Sequence, residues 1–170
     1  MSKYTAHLLL GTNMGKRCKY LHFGLKMIQK QVGNICSTSS IYETAAWGVT
    51  NQRDFLNQAL LVQTSHQPEE LLIILQAIEE QAGRQRTIHW GPRTLDIDII
   101  AIDNLVIQSE RLNIPHPAMK QRRFVLQPLA DIIPDWLHPT FGLTYAQMLA
   151  LCEDNTAIKK YDCSHIFDSK

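Results

Sequence analysis

The run Leu95-Asp96-Ile97-Asp98-Ile99-Ile100 sets two carboxylates two residues apart inside an apolar stretch. In an extended chain side chains alternate, so Asp96 and Asp98 share one face while Leu95, Ile97 and Ile99 pack on the other. Residues so spaced lie about 7 Å apart, close enough for both carboxylates to serve one cluster of cations. Aspartate is a poor strand former and two on one face repel, so the pair carries a local cost. A hard cation offsets that cost: magnesium takes one or two carboxylates plus phosphate oxygens and water. A solvated strand face would tolerate the same acids. The preceding loop, however, supplies Arg84, Arg86 and Arg93 with no acid among them, and guanidinium suits forked binding of phosphate. Arginines beside a metal-holding acid pair match the electrostatic needs of phosphoryl transfer, where positioning and charge neutralisation dominate.

The distribution of charge agrees. Seven Lys/Arg face four acids between Arg84 and Arg123, whereas the whole 170-residue chain is only +1. A local cationic patch in a nearly neutral protein suits a small polyanion better than a long nucleic acid or a membrane surface. Hydrophobic residues at 45% and charged residues at 19% fit one globular domain with a real core. No segment is long and apolar enough to span a bilayer, and no signal peptide is recognisable, so a cytoplasmic protein is expected. The cysteines at 18, 36, 152 and 163 show no zinc spacing and are expected to be free thiols in a reducing compartment.

The elements that must position these residues follow from periodicity. Tyr4–Leu10 reads as an opening strand. Leu21, Leu25, Ile28 and Val32 make one face of a helix over 17–32. Ile35–Thr44 reads as a second strand, 45–53 as a loop, and Phe55–Thr64 as a third strand covered on both faces. Pro68-Glu69-Glu70 starts a helix with buried Leu71, Leu75, Ile78 and Ala82, and Gly83 stops it. Leu95–Ile102 is the acid-bearing strand, followed by a short strand at Leu105–Ile107 and helical pieces near 124–131 and 144–152. The order strand–helix–strand–strand–helix–strand predicts an α+β, ferredoxin-like α/β sandwich, an antiparallel-rich central sheet flanked by helices. The segment from about 153 is polar and expected to be peripheral.

Other residues are open to more than one reading. Gly11-Thr12-Asn13-Met14-Gly15-Lys16-Arg17 fails as a P-loop: only three residues separate its glycines, and Arg17 stands where a Ser or Thr must bind magnesium. It is read as a tight strand-to-helix turn with any substrate contact secondary. Gln76 and Glu79 border the buried stripe of their helix, either as an ordinary polar flank or as neighbours of Arg84. His116, between two prolines and near Lys120, Arg122 and Arg123, is either structural or a phosphate donor. It is a weak general base, because cations oppose its protonation.

Taken in order, Leu9-Leu10-Gly11-Thr12-Asn13, Tyr42-Glu43-Thr44, Phe55-Leu56-Asn57, Gly83-Arg84-x-Arg86, Trp90-Gly91-Pro92-Arg93-Thr94-Leu95-Asp96-Ile97-Asp98, and Pro115-His116-Pro117 through Arg122 and Phe124 carry a resemblance. The chain is similar, from about residue 5 to 150, to the 6-hydroxymethyl-7,8-dihydropterin pyrophosphokinases of folate biosynthesis. The resemblance implies transfer of the terminal diphosphate of ATP to the pterin hydroxymethyl group, with release of AMP. It implies that Asp96 and Asp98 hold two magnesium ions and that Arg84 and Arg93 stabilise the transferring group. Gln76, Glu79, Arg84, Arg86, Trp90, Arg93, Arg111, His116 and Arg122 would line the ATP side. Thr44, Ala45, Trp47, Asn57 and Asp96 would meet the pterin edge, with Phe55 and Phe124 stacking on its faces. A flat heterocycle with a donor/acceptor edge suits such a set, although core packing is the plainer reading of the two phenylalanines by themselves. Ala45 and Ala46 stand where the family has one or two prolines, which leaves the pterin loop less rigid. Arg84, Arg86 and the loop to Trp90 are expected to act as a lid that excludes water. A monomer is expected, with ATP and the pterin as its partners. The rivals are a catalytically silent pterin-binding paralogue and a small RNA-binding domain. The acids on the functional strand face argue against both.

Overall fold

A computed structural model describes residues 3–46, 51–84 and 92–166. Strand β1 (Tyr4–Thr12) leads into helix α1 (Arg17–Gln31), then β2 (Gly33–Thr38), β3 (Ile41–Thr44) and β4 (Phe55–Thr64). Helix α2 (Pro68–Gln81) returns the chain to β5 (Asp96–Ile102). A small hairpin of β6 (Ile107–Gln108) and β7 (Asn113–Ile114), helices α3 (Arg123–Ile132) and α4 (Tyr145–Leu151), and strand β8 (Ile158–Tyr161) complete it. The six-stranded sheet runs β5-β1-β4-β3-β8, with β2 also on β4, and its neighbours pair antiparallel. This is the expected ferredoxin-like order with the second strand divided in two.

Alternation along the strands builds two cores. Leu8, Leu10, Leu56, Leu60, Ile97 and Ile99 pack on Leu21 and Ile28 of α1 and Leu71, Leu75 and Ile78 of α2. Leu9, Ala59 and Ile100 face the opposite way, onto Val125, Leu126 and Leu129 of α3 and Tyr145 and Met148 of α4. The α1 stripe differs from expectation at one position. Gly24 is buried while Leu25 is only half-buried. A Cβ on Gly24 would sit 2.9 Å from Leu10 Cδ2, so α1 lies so close to the sheet that any larger residue must push Leu10 aside.

Three further expectations change. The second strand breaks at Ser39-Ser40 because Ser39 replaces a ladder partner with its own hydroxyl: Oγ accepts the Ala59 N–H at 2.9 Å and donates to Ser40 O at 2.7 Å. The segment beyond 153 joins the structure instead of trailing from it, since β8 pairs with β3 from Ile41↔Tyr161 to Thr44↔Ile158. Cys18 and Cys163 form a disulfide with Cα atoms 5.6 Å apart, which overturns the free-thiol reading for that pair. Cys36 and Cys152 are free.

Candidate active site

Three strands bring the site together at one end of the sheet. Asp96 and Asp98 lie on the α3 face of β5, as alternation requires. Register places Asp96 opposite Gly11 of β1, Gly11 opposite Asn57 of β4, and Asn57 opposite Tyr42 of β3. Gly11 therefore opens a floor between an acid and an amide two strands apart, about 10 Å. A Cβ there would come 3.3 Å from Asn57 Oδ1 and 3.8 Å from Phe55 Cδ1. Asn57 is buried and donates from Nδ2 to Thr44 Oγ1 at 3.0 Å, which turns its carbonyl oxygen toward that floor. Phe55 and Phe124 are both half-buried, the first on β4 and the second on α3. Ala45 is exposed just beyond Thr44.

The acids are met by arginine. Arg84 Nη1 bonds Asp96 Oδ1 at 2.7 Å and Glu79 Oε1 at 2.6 Å, and Arg93 Nη1 bonds Asp96 Oδ2 at 2.7 Å. Asp98 has no arginine clamp of this kind among the described residues. Its burial, and then the charges of Asp96 and Glu79, hold its pKa well above the usual carboxylate range. Such crowding fits a divalent cation, which relieves carboxylate repulsion more fully than a proton does. Among the described residues no three His, Cys, Asp or Glu side chains form a ready-made cage. Two carboxylates on a strand, with the remaining positions left to phosphate and water, are the donor set magnesium accepts.

The free edge of β5 explains two other predicted residues. An edge strand presents unpaired backbone groups that must find partners. The Ile97 N–H donates to Glu79 Oε1 at 2.7 Å, and Ile100 O accepts the His116 N–H at 2.8 Å. Glu79, only 3% exposed, thus stands behind Arg84 and anchors it. His116 is docked on the same edge beyond the cis Ile114–Pro115 bond. Its Nδ1 accepts the Ala118 N–H at 3.2 Å, so the neutral ring carries its proton on Nε2. Burial, and then Arg122, lower its pKa, which favours the neutral ring, with Nε2–H to donate and Nδ1 already taken by the Ala118 N–H.

Gln76 is half-buried on α2, Arg111 is exposed in the β6–β7 hairpin, and Arg122 lies at the start of α3 with its guanidinium carbon 5.8 Å from the Phe124 ring centroid. Trp47, Arg86 and Trp90, and with the last two most of the expected lid, lie outside the described residues. One residue was passed over in the sequence. Asn13, read as part of a turn, is 2% exposed and hydrogen-bonded on both sides of the site. Its place at the end of the Leu9-Leu10-Gly11-Thr12-Asn13 block, to which no role had been assigned, was the local signal.

Comparison with known proteins points the same way. The 7,8-dihydro-6-hydroxymethylpterin-pyrophosphokinase (HPPK) family pattern matches residues 7–134. A 2-amino-4-hydroxy-6-hydroxymethyldihydropteridine pyrophosphokinase of Aquifex aeolicus is 40% identical over 139 residues, covering 81% of this chain and 85% of that protein. The protein of the same name from Bacillus subtilis is 43% identical over 128 residues, covering 75% and 77%. Among solved structures, a Plasmodium falciparum HPPK-DHPS triple mutant superposes with a TM-score of 0.72 at 18% identity. That match takes in 88% of this chain but 43% of the larger one, and it speaks to the fold alone.

Proposed function

The chain belongs to the 7,8-dihydro-6-hydroxymethylpterin-pyrophosphokinase family, and from that premise we propose how its residues divide the work. The reaction is pyrophosphoryl transfer from ATP to hydroxymethyldihydropterin, a step of folate synthesis. The observation that carries the residue assignment is the acid pair, set across the bare Gly11 from Asn57 and approached by Arg84 and Arg93.

Asp96 and Asp98 would hold magnesium, two ions per site, whose charge neutralises the triphosphate. Arg84 and Arg93 stabilise the group in transfer. Their bonds to acids run through Nη1, and a guanidinium has five N–H donors, so phosphate oxygens can be met without releasing Asp96. Glu79 holds Arg84 in place, and His116 offers Nε2–H to the ATP side, where Gln76, Arg111, Arg122, Arg86 and Trp90 also belong. Asn57 reads the pterin edge beside Thr44, Ala45, Trp47 and Asp96, and Phe55 and Phe124 cover the ring faces. No side chain needs to act as a strong base: aligning the pterin hydroxyl in line with the β-phosphorus supplies much of the acceleration. We further propose a single-domain monomer; the Cys18–Cys163 disulfide removes the free-thiol argument for a reducing compartment. No described helix is long and apolar enough to cross a membrane, and both substrates are small molecules.

The test is AMP formation from ATP and hydroxymethyldihydropterin by the purified chain with magnesium. Asp96→Ala and Asp98→Ala are each expected to abolish turnover; near-normal rates in either would remove the metal assignment. Calorimetry with an unhydrolysable ATP analogue should show binding that disappears when magnesium is chelated.

A further inference from the structure

The turn between β1 and α1 ties together two segments that the reaction keeps chemically separate. Asn13 Nδ2 donates to Gln52 Oε1 and to Arg53 O, each at 3.0 Å. Its Oδ1 accepts the Arg93 N–H at 2.8 Å, and its own N–H donates to Arg93 O at 3.1 Å. Arg53 returns to the same turn, donating from Nη1 to Gly15 O at 2.9 Å. Gln52 and Arg53 lead directly into Phe55 and Asn57 on the pterin side. Arg93 holds Asp96 on the phosphate side. An amide is the short side chain that offers two donors and an acceptor together, and here it uses both kinds, each toward a different segment.

We propose that Asn13 is a positioning residue that couples the pterin-binding loop to the Arg93–Asp96 pair, so that filling one half of the site orders the other. The inference rests on the pterin pyrophosphokinase reading above. Asn13 itself need touch neither substrate. Its effect is that residues 52–53 and Arg93 share one anchor, so the loop cannot shift without disturbing the arginine that clamps Asp96.

Asn13→Asp separates the two sides. The carboxylate keeps an acceptor for the Arg93 N–H, but it faces Gln52 Oε1 and Arg53 O with no donor. The pterin KM should rise about tenfold, as expected for one or two lost hydrogen bonds, and the affinity for the ATP analogue at saturating pterin should fall by a similar factor, while its affinity for the pterin-free chain is kept. Titration of pterin with and without magnesium and the ATP analogue should show that the analogue's effect on pterin affinity shrinks toward none, a reciprocal loss that linkage requires. Adding Gln52→Lys to Asn13→Asp returns a donor opposite the carboxylate and should recover most of the lost pterin affinity. A residue that only supports the fold would lower the melting temperature and leave the analogue's effect on pterin affinity at its wild-type size, with no recovery in the double variant; that pattern overturns the proposal. Gln52→Ala removes one of the two bonds made by Asn13 Nδ2 and leaves the one to Arg53 O; it should raise the pterin KM by a smaller factor, and an unchanged value would count against the proposal. If the wild-type chain forms no AMP from the two substrates, the functional reading itself fails, an outcome distinct from wild-type turnover with Asn13→Asp indifferent.

Discussion

Arg84 meets Asp96 and Glu79 through one nitrogen, and this geometry separates its two duties. The contact to Glu79 sets where the guanidinium sits; in the role proposed for it, the rest of its fork would face charge that grows only during transfer. Arg84→Ala should therefore lower kcat by about a hundredfold or more while leaving the ATP KM nearly unchanged, which steady-state kinetics will show. A large KM change with kcat preserved would count against that role. Gly11→Ala fills the floor instead. With its Cβ 3.3 Å from Asn57 Oδ1, it should raise the pterin KM about tenfold, roughly the worth of a strained hydrogen bond, and leave the ATP KM alone. The acid pair and its arginines were legible in the sequence because alternation and like-charge clustering are local signals. Glu79 and Asn13 were not legible in the same way. Their partners, the Ile97 N–H and residues 52–53 and 93, become neighbours only after β5 is known to be an edge and the loops have closed.

Among the elements, those with strong periodicity needed little correction: β4 runs Phe55–Thr64 and α2 starts at Pro68, as expected. The break at Ser39 was hidden because the residues on both sides are equally β-prone, and the hydroxyl that makes the break bonds to Ala59, twenty positions away. Gly24 was hidden in another way, since hydrophobic spacing nominates Leu25 and says nothing of close approach. It yields a test at this scale. Gly24→Ala gains about 1 kcal/mol of helix propensity, but its methyl meets Leu10 and Leu95, both fully buried. Overpacking of a filled core costs about 1–3 kcal/mol, so the variant should unfold at a lower denaturant midpoint despite the better helix former. Its turnover at low temperature should change little.

Across the whole molecule, the α3–α4 face is closed by a polar contact inside an apolar layer. His7 is 1% exposed, its Nδ1 lies 2.9 Å from Tyr145 Oη, and Trp136 stacks on the tyrosine. Burial lowers the His7 pKa to about 4, so folding favours the neutral ring. That contribution is fully present above the unfolded value near 6.5 and is lost as the pH falls from there toward 4. The shift corresponds to roughly 3 kcal/mol. Denaturant midpoints should fall between pH 7 and 4.5, and His7→Asn should be weaker at pH 7 but lose much of that slope. The final strand was the least legible part of the fold, because Ile158–Tyr161 is short, half charged and paired only with the distant β3. Its two exposed lysines, 159 and 160, carry a consequence for self-association. β3 on its own would present unpaired backbone groups to any neighbouring chain, an invitation to strand addition. Covering it with a strand that shows lysine to solvent, and tying that strand to α1 through Cys163, replaces an adhesive border with a repellent one. A chain ending before Ile158 should therefore scatter light and form higher oligomers at concentrations where the full chain stays dispersed.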